Sequence, residues 1–165
     1  MAVDFDLVIQ GVTGENTRQG RPAGSMTVIN WGWGAQNAGT MAFNSGGSGG
    51  QAQFQDLRVN KFVDSASNKL LYMCAQHAHI PTVTLQGWKS GGQQGSEQQK
   101  FLEIVLTKAV ISNIQQHVAG SNLEEMVTFN FAQVDFHYFQ QNEDGSLGTS
   151  QDMSWNVTTG TGSAG

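Results

Sequence analysis

Apolar residues recur at every second position through most of the chain, and a period of two predicts strands. Phe5, Leu7 and Ile9 alternate with polar partners and define the first. Residues 26–36 predict another, with Ile29, Trp31 and Trp33 on one face and Asn30 and Gly32 on the other. Between the two, residues 11–24 form a polar loop containing Pro22. In residues 51–61, Ala52 and Phe54 fall on even positions while Leu57 and Val59 fall on odd ones, which predicts a bulge or bend at Gln55-Asp56. The period then changes. Leu70, Leu71, Met73 and Cys74 recur at helical spacing over residues 67–76, with Ser67 as N-cap and Pro81 as a stop.

Strands return after Pro81. Val83, Leu85 and Gly87 alternate, Gly91-Gly92 marks a turn, and Leu102, Ile104 and Leu106 share a face of residues 101–111. Val127, Phe129 and Phe131 continue into Val134, Phe136 and Tyr138 on the opposite parity, which predicts a bulge near Ala132-Gln133. Residues 142–148 form a turn and residues 154–157 a last short strand. The pattern is that of one mainly β domain over residues 2–157 with one short helix, followed by a small, polar tail at 158–165 expected to be disordered. A β domain must hide its sheet edges, by closing into a barrel or by pairing with another subunit.

Composition narrows the partners. Only 13% of the 165 residues are charged, against ~25% in an average soluble protein, so a surface of Gln, Asn, Ser and Thr suits packing against copies of itself. The net charge of −5 argues against a nucleic-acid partner, since phosphate contact needs clustered Lys and Arg, and Arg18 with Arg21 is the nearest approach. No apolar run suits membrane insertion, and the acidic start Asp4-Phe5-Asp6 does not resemble a cleaved signal peptide. The single cysteine, Cys74, fits a reducing cytoplasm.

Candidate chemistry is sparse. The long loop 37–50 contains Gly46-Gly47-Ser48-Gly49-Gly50, but no Gly-Lys-Ser/Thr follows, so it reads as a contact-making loop rather than a phosphate cradle. Cys74, His77 and His79 have Cys-x-x-His-x-His spacing without the further ligands zinc needs; Cys74 reads as an apolar helix residue and the histidines as capping its exit. His117 and His137 are isolated, and Glu124-Glu125 point apart on a strand toward solvent or an interface. No nucleophile has a catalytic context such as Gly-x-Ser-x-Gly. No catalytic residue, metal or cofactor is therefore assigned.

Four segments, in order, resemble the haemolysin-coregulated protein (Hcp) family of bacterial type VI secretion. They are Val28-Ile29-Asn30-Trp31-Gly32-Trp33-Gly34; Gln55-Asp56-Leu57 through Lys61-Phe62-Val63-Asp64; Phe101-Leu102-Glu103-Ile104 running into Val110-Ile111-Ser112; and Glu124-Glu125 followed by residues 127–134. With Gly14-Glu15 and Trp155 the resemblance spans nearly the whole chain. It implies a compact antiparallel β-barrel with one short flanking α-helix, assembling into hexameric rings. It implies that the rings stack into the inner tube of the secretion system, carry effector proteins in the lumen, and work with a spike protein and a contractile sheath after assembly in the cytoplasm. The similar tail-tube proteins of contractile phages are the alternative. In this reading Asn37, Gly39, Asn44, Gly46, Gly47, Gly49 and Gly50 belong to a ring-stacking loop, and Trp31, Trp33, Leu57, Phe129 and Phe131 to the core. The segment 16–22 departs from the family's acidic and His-containing pattern, and Asn68 stands where a Pro is common, so no particular ring-to-ring contact carries over.

Overall fold

Alternating strands of this length can satisfy their backbone groups only by pairing on both edges, and the chain does so by closure. The computed structural model describes residues 3–38, 51–91 and 97–165. Among them, the strands are β1 (Val3–Ile9), β2 (Met26–Gly32), β3 (Ala35–Asn37), β4 (Ala52–Phe54), β5 (Leu57–Phe62), β6 (Ile80–Ser90), β7 (Gln98–Ala119), β8 (Asn122–Gln141), β9 (Leu147–Asn156) and β10 (Thr161–Ala164), with the helix α1 (Ser67–Ala75) between β5 and β6. The ladder runs β8-β5-β2-β1-β6-β7 and returns to β8, a closed six-stranded antiparallel barrel from which β9 and β10 extend. Leu7, Leu57, Val59, Leu85, Ile104 and Phe129 are fully enclosed inside it. The mainly β barrel with one flanking helix is thus the observed architecture.

Several local expectations need correction. The phase change at Gln55-Asp56 is a break between two sheets rather than a bulge in one strand, because β4 pairs with β3 in a separate ribbon while β5 enters the barrel. Ile29 does not share a face with Trp31: the β2–β5 register shifts between Val28 and Asn30, leaving Ile29 exposed while Val28 and Trp31 face the core. The segment 158–165 is not disordered. Asn156 Oδ1 accepts the amides of Thr158 (3.0 Å) and Thr159 (3.1 Å), Gly160 turns at φ 66°, and Thr161 then pairs with Asn156 to start β10. A side-chain-built turn beside an open strand edge outweighs the weak composition, so the sheet runs past the boundary expected at Val157.

The parity change in β8 is real, but its cause sits on the partner strand. β8 runs unbroken, and the buried set passes from Phe131 to Val134 where β7 passes from Leu106 to Ala109. Opposite Ala132 lies Lys108, whose left-handed backbone (φ 54°) re-aims the residues that follow it. The register itself slips elsewhere, between Ile111 and Asn113.

α1 docks through Leu70, which is fully buried and contributes about 2 kcal/mol. Ser67 is the first helical residue, not the N-cap. Its hydroxyl accepts the Asp64 amide (2.9 Å) and donates to Glu125 Oε1 (2.7 Å), while Asp64 Oδ1 accepts the Ala66 amide (2.9 Å). The helix ends with the amides of His77 and Ala78 returned to Cys74 O (3.1 Å) and Met73 O (2.9 Å), and His77 holds the left-handed position at φ 52°. Beneath the helix start, Lys61 Nζ lies 2.7 Å from Glu125 Oε1 and 3.0 Å from Asp64 Oδ1, with Lys61 and Glu125 wholly enclosed. Glu125 therefore does not face solvent or an interface, as its position beside Glu124 had suggested; it is the acceptor that joins barrel wall to helix.

A second buried charge closes the loop 11–24. Arg21, whose side chain is 1% exposed, pairs with Asp6 and Asp4, donates to Gln98 (3.0 Å from Nε) and stacks on Trp88 at 4.7 Å. Glu15 Oε1 accepts the Ser65 amide (2.9 Å) and ties the same loop to the approach of α1.

Two outcomes are expected. Lys61→Met, which strands Glu125 without its cation, should lower unfolding free energy by about 3–5 kcal/mol in denaturant titration, and the double variant Lys61→Met/Glu125→Leu should recover part of that loss. Asp4 is held below its ordinary value of 3.8 by the Gln98 hydrogen bond and then by Arg18 and Arg21, against the opposing effect of burial. A depressed carboxylate stabilises the fold above its unfolded value and loses that contribution as pH falls through its lower folded value. Thermal melts below pH 3.8 should therefore fall more steeply with acid for the natural chain than for Asp4→Asn.

Candidate functional site

The base of the 37–50 loop is a ribbon fixed by aromatic packing. β3 and β4 pair over Ala35–Phe54, Gln36–Gln53 and Asn37–Ala52, so Asn37 stands exposed at the ribbon's end, where the loop begins. Gly39, Asn44, Gly46, Gly47, Gly49 and Gly50 lie outside the described residues. Two strands of three residues each are too short to bury an apolar face of their own. Trp33 and Phe54 supply the attachment: their rings stack at 5.7 Å, Trp33 continues to Phe136 (6.3 Å) and Phe131 (6.5 Å), and Phe54 to Trp155 (5.9 Å). Each such pair adds roughly 0.5–1.5 kcal/mol beyond area burial. Trp31 turns the other way and meets Phe5 edge-on at 5.7 Å. Leu57, Phe129 and Phe131 lie in the core, and Trp31 and Trp33 pack against it partly buried.

Several stretches of strand edge have no strand beside them among the described residues. They include the outer side of β10 and β7 beyond Ala109, where pairing with β6 stops while pairing with β8 continues to the end of β7 at Ala119. The β7–β8 hairpin also leaves the cross-strand pair Val118 and Leu123 exposed.

Among the described residues, titratable groups do not converge into a reactive centre. His137 Nδ1 lies 2.7 Å from Asp152 Oδ1, and this bond leads the effects that hold Asp152 below its ordinary value. The nearby Ser150 hydroxyl donates to Asp152 Oδ2 (3.0 Å) rather than to the imidazole, the wrong connectivity for activating a nucleophile. His117 approaches Glu124 at 3.6 Å. Cys74 faces the core on α1 while His77 and His79 lie beyond its end with ring centres 6.0 Å apart, and no three metal-ligating side chains gather among the described residues. No helix among them is long and apolar enough to cross a membrane.

Sequence reading missed Arg21, taken for a loop charge, and the Lys61–Glu125 pair. A signal existed for the first: Asp4 and Asp6 lie two apart on one face of β1 and need a cation. For the second there was none, since Lys61 and Glu125 are brought together only by β5–β8 pairing. The indole nitrogen of Trp33 is buried without a hydrogen-bond partner. Trp33→Phe should therefore cost less than about 1 kcal/mol, whereas Trp33→Ala should cost about 3 kcal/mol. Hydrogen exchange at Ala35–Asn37 and Ala52–Phe54 should quicken in the alanine variant alone.

Comparison with known proteins places this geometry in a family. The family described as "Type VI secretion system effector, Hcp" matches residues 7–138. The chain is 33% identical over 160 residues to the hcp1 protein of Pseudomonas aeruginosa, covering 95% of this chain and 96% of that one. A solved structure described as a type six secretion system protein superposes with a TM-score of 0.86 at 26% identity, covering 98% of this chain and 100% of the other. Hcp1 from Salmonella typhimurium shares the fold, with a TM-score of 0.79 at 22% identity over 99% of this chain and 100% of its own. The closed barrel, the helix on its flank and a family match that spans β2 to most of β8 agree: this chain belongs to the Hcp family of type VI secretion system proteins.

Proposed function

We propose that this chain is a structural subunit of the type VI secretion inner tube, acting by assembly and not by catalysis. Six copies close into a ring, rings stack, and effector proteins ride in the lumen, with a spike protein at the tip and a sheath outside. The subunit assembles in the cytoplasm and leaves through the secretion system itself. One observation carries the reading: a barrel of the Hcp family keeps strand edges, among them those of β10 and distal β7, without a strand beside them among the described residues. Free backbone donors and acceptors at such edges favour pairing with a neighbour, and pairing of two different edges is heterologous, the kind of contact that closes rings.

Stacking is assigned to residues 37–50. The aromatic anchor of Trp33 and Phe54 supports that role, because it fixes the ribbon from which the loop starts.

Native mass spectrometry should give six times the 17.8 kDa chain, and negative-stain images should show rings with a central opening; a monomer at high concentration overturns the reading. Replacing residues 39–50 by a short Gly-Ser linker should leave the six-copy mass intact and abolish stacks in the same images.

A further inference from the structure

β10 contributes no buried side chain. Its four residues are all exposed, so backbone pairing with β9 and the polar contacts at its two ends hold it in place. At one end stands the Asn156 turn. At the other the ladder closes on Asp152, whose amide donates to Gly165 O (2.9 Å) and whose carbonyl accepts the Gly165 amide (2.9 Å). Asp152 is also held sideways: its Oδ1 lies 2.7 Å from Nδ1 of His137, its cross-strand partner on β8, and its Oδ2 accepts the Ser150 hydroxyl (3.0 Å). One residue thus joins β8, β9 and the end of β10.

Each strand around His137 supplies a carboxylate. Asp152 comes from β9. Glu103, the cross-strand partner of His137 on β7, is engaged by Gln86 (3.0 Å) and by Lys100. Asp135, two positions earlier on β8 and held by Gln133 (3.4 Å), shares with His137 and Asp152 a cavity of about 300 Å³. Lys100 is the one cation of this set, and it is committed to Glu103. An imidazole gains or loses its charge near pH ~6.5. Asp152 stays anionic through that range, because its carboxyl is held below the ordinary value, first by the His137 hydrogen bond and then, against the opposing effect of burial, by Ser150 and the His137 charge. A charge-assisted hydrogen bond is roughly twice as strong as a neutral one, so a proton on His137 tightens its hold on Asp152. The charged pair needs a cationic imidazole and an anionic carboxylate. Its contribution is therefore present below the imidazole range and lost as pH rises through it, and it is lost again at the acid end as pH falls through the lowered value of Asp152.

We propose that His137 is a proton-operated clasp for the sheet extension: protonated, it grips Asp152 and closes the β9–β10 joint, and neutral, it lets the end of β10 loosen. The outer side of β10 has no strand beside it among the described residues, so the clasp makes presentation of that edge depend on proton concentration. The clasp is a property of the single chain and does not depend on the tube reading.

Hydrogen exchange, corrected for the intrinsic rate at each pH, tests it. In the natural chain a peptide covering β9 and β10 should be protected roughly threefold more at about pH 5.5 than at about pH 8, the scale of one partly exposed charge pair, while β6 shows no such difference. His137→Gln keeps a neutral donor, and Asp152→Asn keeps an acceptor without its charge. In each the ratio should fall to about one, with β6 protection unchanged to show an intact barrel. His117→Gln removes the imidazole that approaches Glu124 and should leave the ratio as it is. A natural chain without the ratio, a ratio that survives in His137→Gln or Asp152→Asn, or one that is lost in His117→Gln overturns the clasp. Native mass recorded at both pH values separates the clasp from assembly: a ratio confined to conditions in which the copy number changes overturns it as well.

Discussion

On one edge β8 pairs with β7 from Asn122 to Tyr138; on the other it pairs first with β5, up to Phe129, and then with β9 from Gln133 onward. The residues between are where the barrel wall hands over to the sheet extension. A strand that coils through such a handover can keep apolar side chains inward only by dropping one step of its alternation. Lys108 absorbs that step on the neighbouring strand, and a groove floored by Ile80, Pro81, Val110 and Phe131 opens at the same level. Closure of the barrel, the aromatic seat of the β3–β4 ribbon and the position of the groove all follow from one strand serving three partners.

Charge is used in an unusual place for so weakly charged a chain. Arg21 with Asp6, and Lys61 with Glu125, lie inside the molecule. Buried pairs of this kind recover their desolvation cost only with further hydrogen bonds, and both have them, from Gln98 and Asp4 in one case and Ser67 and Gln116 in the other. Their value is positional: one holds the 11–24 loop on β1 and β6, the other sets where α1 begins. Each pair cancels internally, so the net charge of −5 is carried by the sparse charged groups of an otherwise polar outer surface.

Much of the fold was legible because alternation is a local property. Phe5 to Ile9, Leu102 to Leu106 and Val127 to Phe131 declare strands without knowledge of their partners, and both parity breaks were visible as breaks. What they meant was not. Ala52–Phe54 and Leu57–Phe62 read as one bent strand because nothing local says that the first half leaves the barrel. Ser67 read as an N-cap because its true partner, Glu125, is 58 positions away. The polar tail hid β10 because its stability comes from the β9 edge and from Asn156, not from its own residues. For the candidate site residues, the loop after Asn37 was marked by its glycines, whereas His137 read as isolated because it meets Asp152 only through β8–β9 pairing.

At nine residues, α1 is shorter than the ~12–15 needed for even marginal stability in water. Its N-terminal turn is organised by Asp64 and by a glutamate on β8, and its apolar face exists only against the barrel. It therefore has no existence apart from the closed ladder. Helical dichroism therefore cannot outlast the closed sheet: it is lost with the barrel or ahead of it, never after it.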